Sequence, residues 1–172
     1  PEAPSGDTNF TQPWAVGQSG NRTLMGRVEY DILPGLTLHA ALGRAKGWFD
    51  GKGAGNIALT SVAGDTLGSS AGSAFHLDTI SGEVGITGHF ATGSVRHQWS
   101  AALSSLERDT AYGFSPPVGA VVSNIYAPVY YPEPAGIQAA TANLASTMRL
   151  PSFGIADTMS FAQDRVKLTL GV

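Results

Sequence analysis

Cysteine is absent from the 172 residues, which excludes a disulfide framework and a thiolate metal site. Charge is scarce: charged side chains make up 13% of the chain, against about 25% in typical soluble domains. The net charge of −3 provides no basic footprint for nucleic acid. No apolar run reaches the roughly 18 residues of a membrane-spanning helix, although 42% of residues are hydrophobic. The N-terminal Pro1-Glu2-Ala3-Pro4 has neither a basic region nor an apolar stretch of the kind that opens a signal peptide. The expectation is a processed chain or one that starts inside something larger. What is plentiful is glycine, 22 residues without collagen periodicity, which suits strands, tight turns and irregular loops.

The dominant pattern is alternation of period two. Leu24, Gly26, Val28, Tyr30 and Ile32 are apolar or small, and Arg27, Glu29 and Asp31 between them are charged. Leu33-Pro34-Gly35 reads as a turn, and Leu36, Leu38, Ala40 and Leu42 then alternate with Thr37, His39, Ala41 and Gly43. A second hairpin sets Ile80, Val84, Ile86 and Phe90 against Ser81, Glu83, Thr87 and His89. It turns at Ala91-Thr92-Gly93-Ser94 and returns with Val95, His97, Trp99, Ala101 and Leu103 on one face. His97 interrupts that apolar face. A third places Phe153, Ile155, Met159 and Phe161 with Asp157, a carboxylate on the apolar side unless a bulge shifts the register. After a turn at Ala162-Gln163-Asp164, Val166, Leu168, Leu170 and Val172 alternate with Arg165, Lys167 and Thr169.

These strands match the roughly 9–11 residues of a tilted transmembrane β-strand. The sequence predicts an all-β fold, an antiparallel transmembrane β-barrel segment of about six strands in three hairpins, 24–47, 79–108 and 147–172. Connections within hairpins are short, whereas 48–78 and 109–146 read as long external loops. Short turns on one side and long loops on the other are the habit of outer-membrane barrels, and would be out of place in a compact soluble domain. Six strands fall short of the roughly eight that close around a packed lumen, and open edges are not tolerated in lipid. The remaining strands are therefore expected from a longer chain or from other copies, and the pattern breaking off at Val172 is read as truncation. Residues 1–22 read as the end of an earlier external loop.

Gly68-Ser69-Ser70-Ala71-Gly72 matches G-x-S-x-G, but a nucleophile elbow needs a strand before it and a helix after it. A small-residue loop is the favoured reading, and a soluble β-rich hydrolase built on Ser70 is the distant alternative. Asp50-Gly51-Lys52-Gly53 lacks phosphate-loop spacing. His39, His76, His89 and His97 show no metal-ligand spacing, so no metal and no catalytic residue is expected. Arg27, Glu29, Asp31, Glu83, Arg96, Arg165 and Lys167 would line a lumen of mixed charge. Trp48 and Phe49 fit an aromatic girdle. Tyr112, Phe114, Tyr126, Tyr130 and Tyr131 are the candidate ligand contacts, because aromatic rings bury large areas.

Several stretches resemble the TonB-dependent siderophore receptors of Gram-negative outer membranes. They are Arg27-Val28-Glu29-Tyr30-Asp31 with Pro34-Gly35-Leu36-Thr37-Leu38, Thr92-Gly93-Ser94-Val95-Arg96-His97, Ser123-Asn124-Ile125-Tyr126-Ala127-Pro128, and Gly154-Ile155-Ala156-Asp157-Thr158-Met159-Ser160-Phe161 running on to Val172. The family often has Asn where Ala127 stands. The resemblance implies a non-enzymatic receptor in the outer membrane that imports ferric siderophores by TonB-coupled transport. Its partners would be the siderophore, the TonB energy-coupling protein and outer-membrane lipid. Iron would travel inside the ligand, so no cofactor is implied. The plug domain and the TonB-contacting segment are absent from these residues. A passive porin-type channel is the alternative with the same strand pattern.

Overall fold

The computed structural model describes residues 3–172, apart from the side chains of 54–56. The described residues form strands and turns with no helix. The strands are β1 (Val16–Leu33), β2 (Leu36–Leu59), β3 (Asp65–Thr92), β4 (Val95–Phe114), β5 (Val118–Asn124), β6 (Asn143–Phe161) and β7 (Val166–Gly171). They make one sheet in the order β1-β2-β3-β4-β6-β7, with β5 paired to β3.

Two expectations change. The stretch 48–78 is mostly strand: β2 runs to Leu59, β3 begins at Asp65, and only 60–64 connect them. The stretch 109–146 contains the end of β4, all of β5 and the start of β6, which raises the strand count to seven. These segments hide from a hydropathy reading because small residues, rather than alternating apolar ones, fill them. A backbone ladder needs paired N–H and C=O groups, and small side chains supply these as well as large ones do. Residues 3–22 divide between an irregular stretch and β1, which starts at Val16, and residues 1 and 2 lie outside the described residues.

The chain comprises two compact units. The hairpin unit is Arg22–Lys46, Asp78–Asp109 and Thr147–Val172; the loop unit is Pro1–Asn21, Gly47–Leu77 and Thr110–Ser146.

In the hairpin unit, alternation sorts side chains as expected. Leu24, Val28, Tyr30, Leu42, Val84, Phe90, Leu103, Phe153, Ile155, Leu168 and Leu170 are exposed apolar residues on one face. That face matches the lipid-facing band of a barrel wall. The other face is polar and cross-linked. Arg27 pairs with Glu29 at 2.8 Å, His39 Nε2 lies 3.1 Å from Glu83, and the Thr37 hydroxyl donates to Asp31 at 2.6 Å. Arg96 pairs with Asp164. A concavity of about 920 Å³ opens here, lined in part by Asp31, Thr37, His89, Gln98 and Lys167. The β6–β7 register is unbroken from Ala156 to Phe161, so no bulge moves Asp157, which stays on the apolar face.

Candidate functional site

The loop unit is organised by a break in β4. Pro116 and Pro117 lack the N–H that a ladder requires, and β4 ends at Phe114. Strand pairing with β3 resumes at Val118, past the two prolines. The Ser115 amide donates to Gly72 O at 3.0 Å, and β5 then follows from Val118 opposite Ser70 to Asn124 opposite Asp65, shifting register between Ser69 and Ser70.

Beyond β5 the chain turns back across one face of this sheet. The Thr66, Gly68, Ser70, Gly72 and Ala74 row of β3 is buried there, with Val121 and Ser123 beside it. Close approach explains the small residues: a Cβ on Gly72 would collide with Gln138 O, and one on Gly113 with Thr141 O. The G-x-S-x-G match is this row. The Ser70 side chain is fully buried, and among the described residues its hydroxyl has no hydrogen-bond partner that could serve as a base.

Polar side chains fasten the returning chain. Asn124 Nδ2 donates to Ala63 O at 3.0 Å and to Asp65 Oδ1 at 2.9 Å, and Asn124 Oδ1 accepts the Tyr126 amide at 2.9 Å. Asp65 also accepts the Ser61 hydroxyl at 2.7 Å. The Ser61 hydroxyl first, and the Asn124 amide second, hold the Asp65 carboxyl below its ordinary value. Gly64, at φ +93°, lies against the Tyr126 ring, where any Cβ would clash. The Gln12 side chain is 2% exposed; it donates to Val129 O and accepts the Tyr131 amide, both at 2.9 Å. Ser123 Oγ accepts the Val129 amide at 2.9 Å.

This geometry divides the candidate aromatics. Tyr126 packs on the 60–64 turn, the Tyr130 hydroxyl donates to Asn9 O at 2.7 Å, and the Tyr131 hydroxyl donates to Val122 O at 2.8 Å. All three help hold the loop. Tyr112 and Phe114 are exposed with ring centroids 6.5 Å apart. Alternation puts them opposite Gly113, on the face that the returning chain leaves open. Leu67 and Val122, paired in register, are exposed, as is Phe75. The Ser115–Gly72 bond sets Tyr112 across from Phe75. None of Leu67, Ser69, Ala71, Ser73, Phe75, Thr110, Tyr112 and Phe114 carries a charge. Composition singled out Tyr112 and Phe114 on this open face and did not single out Leu67, Phe75 and Val122 beside them. The period-two row of small residues was the signal that could have told the open face from the covered one.

A long-stranded antiparallel sheet with an exposed apolar band, a polar opposite face and a fastened loop assembly has the make-up of an outer-membrane barrel wall. The comparisons define the class further. The chain is 30% identical over its whole length to the ferrichrome receptor FcuA of Yersinia enterocolitica, of which it covers 23%. It matches the ferric preacinetobactin receptor BauA of Acinetobacter baumannii with a TM-score of 0.84 and 34% identity, over 99% of this chain and 26% of that one. The ferric-catecholate import receptor Fiu of E. coli K12 shares the fold at a TM-score of 0.66 and 20% identity, over 94% of this chain and 26% of that one. No protein-family model matches. The chain is thus similar over its whole length to a stretch of these outer-membrane receptors, and it spans about a quarter of the length of the relatives it matches.

Proposed function

We propose that this segment forms part of the wall and ligand vestibule of a receptor that imports a ferric siderophore, with TonB supplying the energy. One observation carries the reading: the loop-unit sheet is sealed on one face and leaves an uncharged, aromatic surface on the other. Leu67, Phe75, Tyr112, Phe114 and Val122 form that surface. Rigid aromatic platforms give contact area at low entropic cost. The Asn124 and Gln12 fastenings, by holding the loop, keep the platform in place before ligand arrives. Iron is cargo here, carried within the chelate, and the segment's contribution is binding and positioning.

The test is uptake of radiolabelled iron by cells carrying the intact receptor, supplied as ferrichrome and as ferric preacinetobactin. Tyr112→Ala/Phe114→Ala is expected to weaken binding about tenfold or more, and collapsing the proton-motive force is expected to stop uptake. Uptake that continues without energy would favour a passive channel. Unchanged affinity in the double variant would remove the aromatic platform from the site.

A further inference from the structure

The loop unit is almost without positive charge. Its sequence holds Glu2, Asp7, Asp50, Asp65 and Glu133 against one Lys or Arg, Lys52. That cation is turned away from the open face. Lys52 is ion-paired to Glu133 of the returning chain, and so lies on the covered side. Asp50, two residues earlier on the same side of β2, has its Oδ1 3.0 Å from His76 Nε2. His76 continues the period-two row of Gly72 and Ala74, which the returning chain covers. Asp65, at the end of β3, is occupied by Ser61 and Asn124. Phe49 and Phe75 adjoin Asp50 and His76 in sequence, so alternation turns both rings to the open face. Glycines make room for the Phe49 ring: a Cβ on Gly17 would lie 2.6 Å from it and one on Gly51 3.0 Å. Phe49 is exposed and extends the aromatic platform onto β2. The neutral polar groups of this face include Ser73, across from Phe114, and the Tyr112 hydroxyl, which has no hydrogen-bond partner among the described residues.

We propose, on the reading of this surface as the ligand's, that the platform selects ferric chelates without net negative charge. In such a chelate three singly anionic bidentate groups, of the hydroxamate type, cancel the charge of ferric iron and leave an uncharged organic shell. Three doubly anionic groups, of the catecholate type, leave a trianion instead. A trianion brought onto the open face loses hydration and meets no cation that replaces it. The acidic surplus of the loop unit also opposes its approach. A neutral chelate gives up little hydration there and gains contact with the rings of Phe49, Phe75, Tyr112 and Phe114. The Tyr112 hydroxyl is available to donate to a carbonyl oxygen of the shell. Selection of this kind comes from the missing counter-charge as much as from the contacts made.

The experiment measures the affinity of the intact receptor in detergent for two radiolabelled ferric chelates built on one tripodal scaffold, a tris-hydroxamate and a tris-catecholate. The tris-hydroxamate is expected to bind about tenfold or more tightly, with an affinity that holds from low to high salt. Ser73→Lys on β3 and, separately, Thr110→Lys on β4 each place an ammonium on the open face. Each is expected to improve tris-catecholate binding about tenfold, an improvement that high salt erases. The folded state of each variant is checked by its resistance to unfolding on an unheated gel. Equal or tighter binding of the tris-catecholate by the parent overturns the charge selection and leaves the receptor reading in place. Tris-catecholate affinity unmoved in both folded Lys variants also overturns it, because another surface would then set the charge preference. Binding of neither chelate, with no uptake of iron by cells, removes the receptor reading and the selection together.

Discussion

His97 Nδ1 and Asp157 Oδ2 lie 2.7 Å apart across the neighbouring strands β4 and β6. Each alone is a polar interruption of an apolar face; together they satisfy the imidazole nitrogen and one carboxylate oxygen, while Asp157 Oδ1 stays buried without a partner among the described residues. Phe90 stacks on the imidazole with centroids 4.5 Å apart and an interplanar angle of 6°, shielding the pair. Removing one partner strands the other in an apolar setting, whereas removing both leaves no orphan. His97→Ala or Asp157→Ala in the intact barrel is expected to cost about 1–3 kcal/mol, read as a lower unfolding midpoint in detergent. His97→Leu/Asp157→Leu is expected to lie closer to the parent than either single change. A double variant as unstable as the sum of the singles would show that the two residues act separately.

Ser70 is a test of the hydrolase alternative. Its buried, unpartnered hydroxyl costs desolvation with no compensating bond. Ser70→Ala is therefore expected to leave stability unchanged or raise it by about 1 kcal/mol, and to change no ester hydrolysis. Ester hydrolysis that disappears in Ser70→Ala would restore Ser70 as a nucleophile.

Much of the hairpin unit was legible in the sequence because lipid and lumen impose opposite demands on alternate residues. Leu24 to Ile32 against Arg27 to Asp31 is such a pattern, and the turns at Gly35, Gly93 and Gln163 fall where expected. The loop unit was not legible in the same way. Its strands pack under a returning chain, so Thr66, Gly68, Ser70 and Gly72 were selected for size and resemble loop composition. Asn124 stood in a stretch quoted for family resemblance, yet its action through Ala63 O and Asp65 depends on a contact 59 residues away in sequence. That Tyr126, Tyr130 and Tyr131 help hold the loop was not legible, because composition does not show which backbone groups their rings and hydroxyls meet.

The Asn124–Asp65 fastening has a pH dependence of definite sign. The Asp65 carboxyl is held below its ordinary value of 3.8 by Ser61 and Asn124. A carboxyl depressed in the folded state contributes its stabilisation above the ordinary value and loses it as pH falls through the lowered one. Limited proteolysis within 125–142 is therefore expected to be slow at neutral pH and to accelerate only in strong acid. Asn124→Ala is expected to accelerate it at neutral pH, with a loss of about 1–2 kcal/mol of local stability. Cleavage that is insensitive to Asn124→Ala would mean that Gln12 and the tyrosine hydroxyls suffice to hold the loop.

The β6–β7 turn stores strain that a single substitution should release. Ala162, Gln163 and Asp164 have φ of 49°, 58° and 68°, three consecutive left-handed residues, none of them glycine. Left-handed backbone costs a non-glycine residue about 1–2 kcal/mol. Asp164 is tied to Arg96 by an ion pair, so Gln163 is the position to change. Gln163→Gly removes the steric cost but gives the unfolded chain more freedom, worth about 0.5–1 kcal/mol in the opposite direction. The balance is expected to favour the variant by about 0.5–1 kcal/mol, read as a higher unfolding midpoint of the intact barrel. A lower midpoint would show that contacts of the Gln163 side chain outweigh the strain of its backbone.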